Sequence, residues 1–283
     1  MGNGEPFAER LAQAMRRHDS LLCVGLDPEV GKLPAPLRHL PPAEAVVAFN
    51  RAIVEATSDL VACYKPNIAF YEALGPAGLE ALRRTLAAIP PGIPTICDAK
   101  RGDIANTMRL YAQALFDVYG FDAVTASPYL GQDALEPFLS RRDRGIFILC
   151  RTSNPGAADI AELRVAAAGP GGHAPGWPLY LVVAERVRAW NVNRNAGLVV
   201  GATAPHDLAR VREVCPDLPI LVPGIGPQQG DLEGAVGAGL DAGRAGLLIV
   251  AARQVLYASS GADFPAAARR AALALRERIN RVR

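Results

Sequence analysis

Short apolar runs recur along the chain at residues 21–26, 60–64, 93–97, 123–126, 146–150, 197–200, 220–222 and 247–250. Each is too short for a buried helix, several are rich in Val and Ile, and stretches of helical length separate most of them. They read as strands. Between them, 43–58 places apolar side chains at helical spacing, 78–88 does so after a Gly-Pro pair, and 104–119 runs as a helix up to Gly120. Eight strands alternating with helices predict βα units around a closed parallel sheet, a (β/α)8 TIM barrel of the α/β class, as one domain over 1–283. A doubly wound open sheet gives similar alternation, but its GxGxxG fingerprint and the Walker phosphate loop are both missing. Residues 151–196 read as an irregular insertion, because 169–178 holds four glycines and three prolines.

Composition narrows the function. Half of the 283 residues are hydrophobic, enough for a full core, and the formal charge is only +2. That balance argues against a nucleic-acid-coating protein and against a basic membrane-surface protein, whereas a phosphorylated small molecule needs only a local basic site. The first twenty residues carry no apolar leader core, and no run approaches the roughly 20 apolar residues of a membrane span. Of five cysteines with no close pair, four lie in the apolar runs, which predicts reduced, buried thiols and a cytoplasmic location. The four histidines share no spacing with one another or with the cysteines, so neither a histidine metal centre nor a Ser-His-Asp triad is expected. No metal and no cofactor is predicted.

Candidate chemistry follows from the barrel, whose active site forms at the C-terminal ends of its strands. Asp27 follows the first run, Lys65 the second, and Asp98-Ala-Lys100-Arg-Gly-Asp103 the third; Thr152, Ser153 and Asn154 follow the fifth. Lys65 and Lys100 are two of only three lysines, the other basic residues being arginines, and an ammonium can give up a proton where a guanidinium cannot. Asp98 and Lys100 are two apart, which in extended backbone puts both on one face, towards the barrel mouth. A structural ion-pair network at the rim is the plainer reading of these charges, and Asp103 alone could cap the helix beginning at Ile104. After the seventh run, Gly224-Ile225-Gly226 exposes backbone N–H groups, Gln228 follows, and Arg253 stands after the eighth. Loops seven and eight are where barrels commonly bind phosphate.

The segment 98–107, DAKRGDIANT, matches the DxKxxDIxxT pattern of the orotidine 5'-phosphate decarboxylase family, which the chain resembles from about 21 to 257. Supporting segments are LCVGLDP at 22–28, YKPNIAFYE at 64–72, TSNPGA at 152–157 and PGIGPQ at 223–228, in the form of the longer bacterial branch. The resemblance implies conversion of orotidine 5'-monophosphate to UMP and CO2 in pyrimidine biosynthesis. Lys100 would protonate C6, Asp98 would face the substrate carboxylate, Lys65 would bridge ribose and charge network, and Asp27 would bind a ribose hydroxyl. Ser153 would contact the pyrimidine; Gly226, Gln228 and Arg253 would form the phosphate site. Asp103, Ile104 and Thr107 would reach into a partner's site, so a homodimer with shared active sites is implied. Ala251 and Ala252 precede Arg253 where the family often has Ser or Gly, which leaves backbone amides for that part of the phosphate site.

A related group of magnesium-dependent sugar-phosphate enzymes, the 3-keto-gulonate-phosphate decarboxylases and hexulose-phosphate synthases, shares the segment after strand three. Its members carry a glutamate after strand two that helps hold the metal; here the position is Lys65, whose ammonium would repel it. A catalytically silent phosphosugar-binding barrel would need a broken tetrad, and Lys65, Asp98, Lys100 and Asp103 are all present.

Overall fold

Eight parallel strands form the wall: β1 (Leu22–Gly25), β2 (Cys63–Lys65), β3 (Ile96–Arg101), β4 (Ala123–Ala126), β5 (Gly145–Arg151), β6 (Ala196–Val200), β7 (Ile220–Val222) and β8 (Leu247–Ala251). The computed structural model describes residues 4–166, 175–225 and 230–283. The sheet runs β2-β1-β8-β7-β6-β5-β4-β3, and each strand overlaps an apolar run of the sequence, although β3 is displaced from 93–97 to Ile96–Arg101 and takes in Asp98 and Lys100, which the sequence places after it. Helices cover the outside, so most strand residues are buried on both faces and the strands read as continuous apolar stretches.

The seam between β2 and β3 is made by single bridges, Tyr64 to Thr95 and Asn67 to Asp98. Pro66 and Pro94 sit on the two sides of this seam and have no N–H to donate, so a regular ladder cannot form there. Their carbonyls still accept, from Asp98 N at 2.9 Å and Tyr64 N at 3.0 Å. This ties Asp98 to the end of β2.

The helix expected at 78–88 begins earlier, at Gly75, because Pro76 occupies the first turn, where a missing N–H costs nothing. The one expected at 104–119 is α-helical over Ala105–Ala112 and continues over Gln113–Val118 with π-helical winding. The segment after β5 contains a regular helix, Leu179–Trp190, preceded by an antiparallel pairing of Arg164–Val165 with Trp177–Pro178. Residues 169–174 of the Gly-Pro stretch lie outside the described residues. All five cysteines are buried and unpaired.

One end of the barrel is closed by the N-terminal helix Phe7–Arg17. The Phe7 ring meets Phe147 edge-on at 6.1 Å. It also lies over Gly145, where a Cβ would come within 2.4 Å of it. Among the described residues no helix is long and apolar enough to cross a membrane.

Candidate active site

At the opposite end the strands open into a cavity of about 720 Å³. Its floor is apolar, with Leu149, Val199, Leu221 and Val250 from β5 to β8, and its charged wall comes from β1 to β3. Asp27, Lys65, Asp98, Lys100, Ser153 and Arg253 all line it, as their positions at or just beyond the C-terminal ends of successive strands require.

Asp98 is the centre of the charged wall. Lys65 Nζ donates to its Oδ2 at 2.8 Å, and Lys100 Nζ donates to its Oδ1 at 2.5 Å. Burial alone would raise the Asp98 carboxyl, but the two ammonium charges and their hydrogen bonds outweigh it and hold the group well below the usual carboxylate range. Lys65 is pulled down by burial and up by the charges of Asp27 and Asp98, and the carboxylates win. Asp27 goes the other way: burial raises its carboxyl, opposed by the Lys65 charge and by a hydrogen bond from Asn67 N at 3.0 Å. The side chains of Lys65 and Asp98 are 5% and 12% exposed, whereas that of Lys100 is 50% exposed. Lys65 is therefore fixed as the inner counter-charge, and Lys100 is the ammonium that can meet a ligand.

Asp98 and Lys100 do converge at the mouth, but not by the extended alternation that their spacing implies. Lys100 has φ +47°, a left-handed conformation that costs a non-glycine residue about 1–3 kcal/mol. The pairing of β3 with β4 jumps from Cys97–Val124 to Arg101–Ala126, leaving residues 98–100 bulged out of the ladder. Inside the bulge, the Thr125 hydroxyl accepts from Ala99 N at 3.1 Å and Lys100 N at 2.9 Å, and donates to Asp98 Oδ1 at 3.0 Å. Thr125 and Asn67 were not singled out by the sequence reading. The one visible signal for Thr125 was a polar residue inside an otherwise apolar run.

Asp103, Ile104 and Thr107 do not join this group within one chain. Asp103 accepts from the Ile104 N–H at 2.7 Å, a local bond at the helix start, and Ile104 stands 69% exposed. Within one protomer Asp103 is thus not among the residues that line the cavity. Gly226 and Gln228 lie outside the described residues; Gly224, at φ +101°, lines the cavity beside Arg253.

The loop bearing Ser153 is held from both sides. Arg151 bonds Asp207, Glu162 and the carbonyl of Thr152 at 3.2, 2.7 and 2.8 Å. Gly201, just after β6, donates to the Arg151 carbonyl at 2.7 Å, and a Cβ there would lie 2.7 Å from both Cα and Cβ of Ser153. Gly201→Ala is expected to push Ser153 out of place and lower kcat/KM by about tenfold to a hundredfold. Steady-state kinetics read this directly, and an unchanged kcat/KM would mean that the position of Ser153 does not matter to turnover.

Residues 20–270 match the model of the orotidine 5'-phosphate decarboxylase / HUMPS family. The chain is 56% identical over 278 residues to an orotidine 5'-phosphate decarboxylase of Thermomicrobium roseum, covering 98% of this chain and 96% of that one. It is 52% identical to the enzyme of that name from Roseiflexus sp. strain RS-1, covering 97% of each. Among solved structures, OMP decarboxylase of Leishmania donovani superposes with a TM-score of 0.83 at 43% identity, covering 98% of this chain and 99% of that one. With the matching barrel and the matching motif segments, the chain belongs to the orotidine 5'-phosphate decarboxylase family.

Proposed function

We propose that the chain converts orotidine 5'-monophosphate to UMP and CO2 without a metal, with Lys100 as the proton donor. Decarboxylation and a place in pyrimidine biosynthesis come with the family. The mechanism is carried by one observation: the Asp98 carboxylate is clamped between the ammonium groups of Lys65 and Lys100 at the wall of the cavity.

The bond from C6 to the carboxylate carbon breaks with its electron pair left on C6, an sp2 carbon with no adjacent carbonyl to accept it. The Lys100 ammonium stabilises that charge as it develops and then transfers a proton to C6, becoming a neutral amine that solvent recharges. Because Asp98 already holds both ammonium groups in the free protein, little reorganisation is needed when the reaction occurs. Asp98, facing the substrate carboxylate, additionally disfavours the ground state. Asp27 takes a ribose hydroxyl and Ser153 the pyrimidine. Arg253, with Gly226 and Gln228, takes the phosphate. The metal-free reading is supported by Lys65, whose buried ammonium occupies the ground between two carboxylates that a cation would otherwise share.

The exposed Ile104, at the start of the helix after β3 and with Asp103 beside it, supports a homodimer in which this segment completes the neighbouring site. Five buried, unpaired thiols support a cytoplasmic location.

The test is the loss of orotidine 5'-monophosphate absorbance with purified protein, with and without EDTA. Conversion to UMP that EDTA does not affect is expected; turnover that EDTA abolishes would sink the metal-free reading. Arg253→Ala is expected to lower kcat/KM for this substrate by about tenfold to a hundredfold, the loss of one charge-assisted contact. Its effect on orotidine, which lacks the phosphate, should be negligible; equal losses on both would remove Arg253 from the phosphate site.

A further inference from the structure

We propose that Thr125 is a positioning residue for the reaction, acting through Lys100 and Asp98; this rests on the reading of Lys100 as proton donor. The bulge at 98–100 takes backbone N–H groups away from the β4 ladder, and the Ala99 and Lys100 N–H groups both turn to the Thr125 hydroxyl, at 3.1 and 2.9 Å. The single proton of that hydroxyl goes to Asp98 Oδ1 at 3.0 Å, the same oxygen that accepts from Lys100 Nζ. Two lone pairs and one proton are all used, so the hydroxyl is saturated.

Two consequences follow from one side chain. The pair of accepted bonds holds Lys100 in its left-handed conformation, which a lysine does not favour by itself, and so sets where its stem leaves the backbone. The donated bond fixes the rotation of the Asp98 carboxylate, and with it the direction in which Lys100 Nζ is held. The ladder resumes at once on the far side, where Ser127 N donates to the Arg101 carbonyl at 2.7 Å, so the distortion is confined to the residues that carry the chemistry. Thr125 is 1% exposed, and its hydroxyl is spent on the bulge. Its role is therefore to hold the groups that act on substrate.

Thr125→Val keeps the shape and removes acceptor and donor together; Thr125→Ser keeps the hydroxyl and removes only the methyl. The valine variant is expected to lose about a hundredfold in kcat, while KM for orotidine 5'-monophosphate and the affinity for UMP stay within about threefold. The serine variant is expected to return to within about fivefold of the parent kcat. A role in packing alone would give the opposite order, sparing the isosteric valine variant and affecting the serine variant, which lacks the methyl. Should the valine variant not fold, Thr125→Ala reads the same quantity. A parent-like kcat in valine or alanine, a loss that serine does not restore, or a loss confined to KM would each overturn the proposal. Lys100→Ala, assayed alongside, separates the two readings. If it is inactive while Thr125→Val is not, only the role of Thr125 falls; if it retains parent activity, both fall.

Discussion

Lys100→Ala is expected to lower kcat by about 10⁴-fold or more, the product of losing a positioned proton donor and a preorganised charge at the reacting carbon. KM should move far less, because Lys100 is half-exposed and the proposed ribose, ring and phosphate contacts of Asp27, Ser153 and Arg253, which all line the cavity, are left in place. Lys100→Arg separates the two roles. A guanidinium keeps the positive charge and can still pair with Asp98, but it does not release a proton in the working range. An arginine variant as inactive as the alanine variant therefore assigns most of the effect to proton delivery and to the placement of the ammonium. Substantial recovery assigns it to charge alone. Single-turnover formation of UMP is the measurement, since it removes product release from the rate. An alanine variant within tenfold of the parent would exclude Lys100 as the donor.

What could be read from the sequence, and what could not, divides along physical lines. All eight strands were legible because a parallel barrel buries both faces of each strand, leaving apolar runs with polar residues at their ends. Lys65, Asp98, Lys100, Asp27, Ser153 and Arg253 were legible for the same reason: a charged or hydroxylated residue at the end of such a run has only the barrel mouth to face. Thr125 escaped because it lies within a strand and because its partners are backbone N–H groups freed by a bulge, which no side-chain pattern announces. The left-handed turn at Lys100 escaped because period-two reasoning assumes an uninterrupted strand. Gly201 escaped because its importance is a distance to Ser153 across the sheet. Asp103 stands two residues beyond β3, on the helix-start turn, where it accepts from its own neighbour, so a single protomer does not reveal the role that the motif implies for it.

Lys65→Met is expected to reduce stability by about 3–5 kcal/mol at neutral pH, because it removes the buried cation around which two carboxylates are arranged, leaving Asp27 without its main counter-charge and Asp98 with Lys100 alone. The direction of its pH dependence can be worked out. In the parent, the Asp98 carboxyl is held below its unfolded value, so the stabilisation it contributes is present above about pH 4 and is lost as pH falls below that. Lys65 is held above its unfolded value, so its contribution is complete below about pH 10 and is lost only in strong alkali. Asp27, held above its unfolded value, works the other way: its contribution is present in acid and is lost as pH rises through its titration, so the parent's plateau lies between that titration and strong alkali. Without Lys65, Asp27 loses the largest influence opposing its burial, and Asp98 keeps only the half-exposed Lys100. The Asp27 carboxyl, already above its unfolded value, then rises further, and Asp98 loses part of what holds it down, so the folded state binds more protons than the parent does and the variant loses stability relative to the parent as pH climbs through these titrations. Urea unfolding at pH 4.5 and pH 8 should thus show a deficit that is small in acid and large near neutrality. A deficit of equal size at both values would mean that methionine costs only packing, and that the charge of Lys65 is not what balances Asp27 and Asp98.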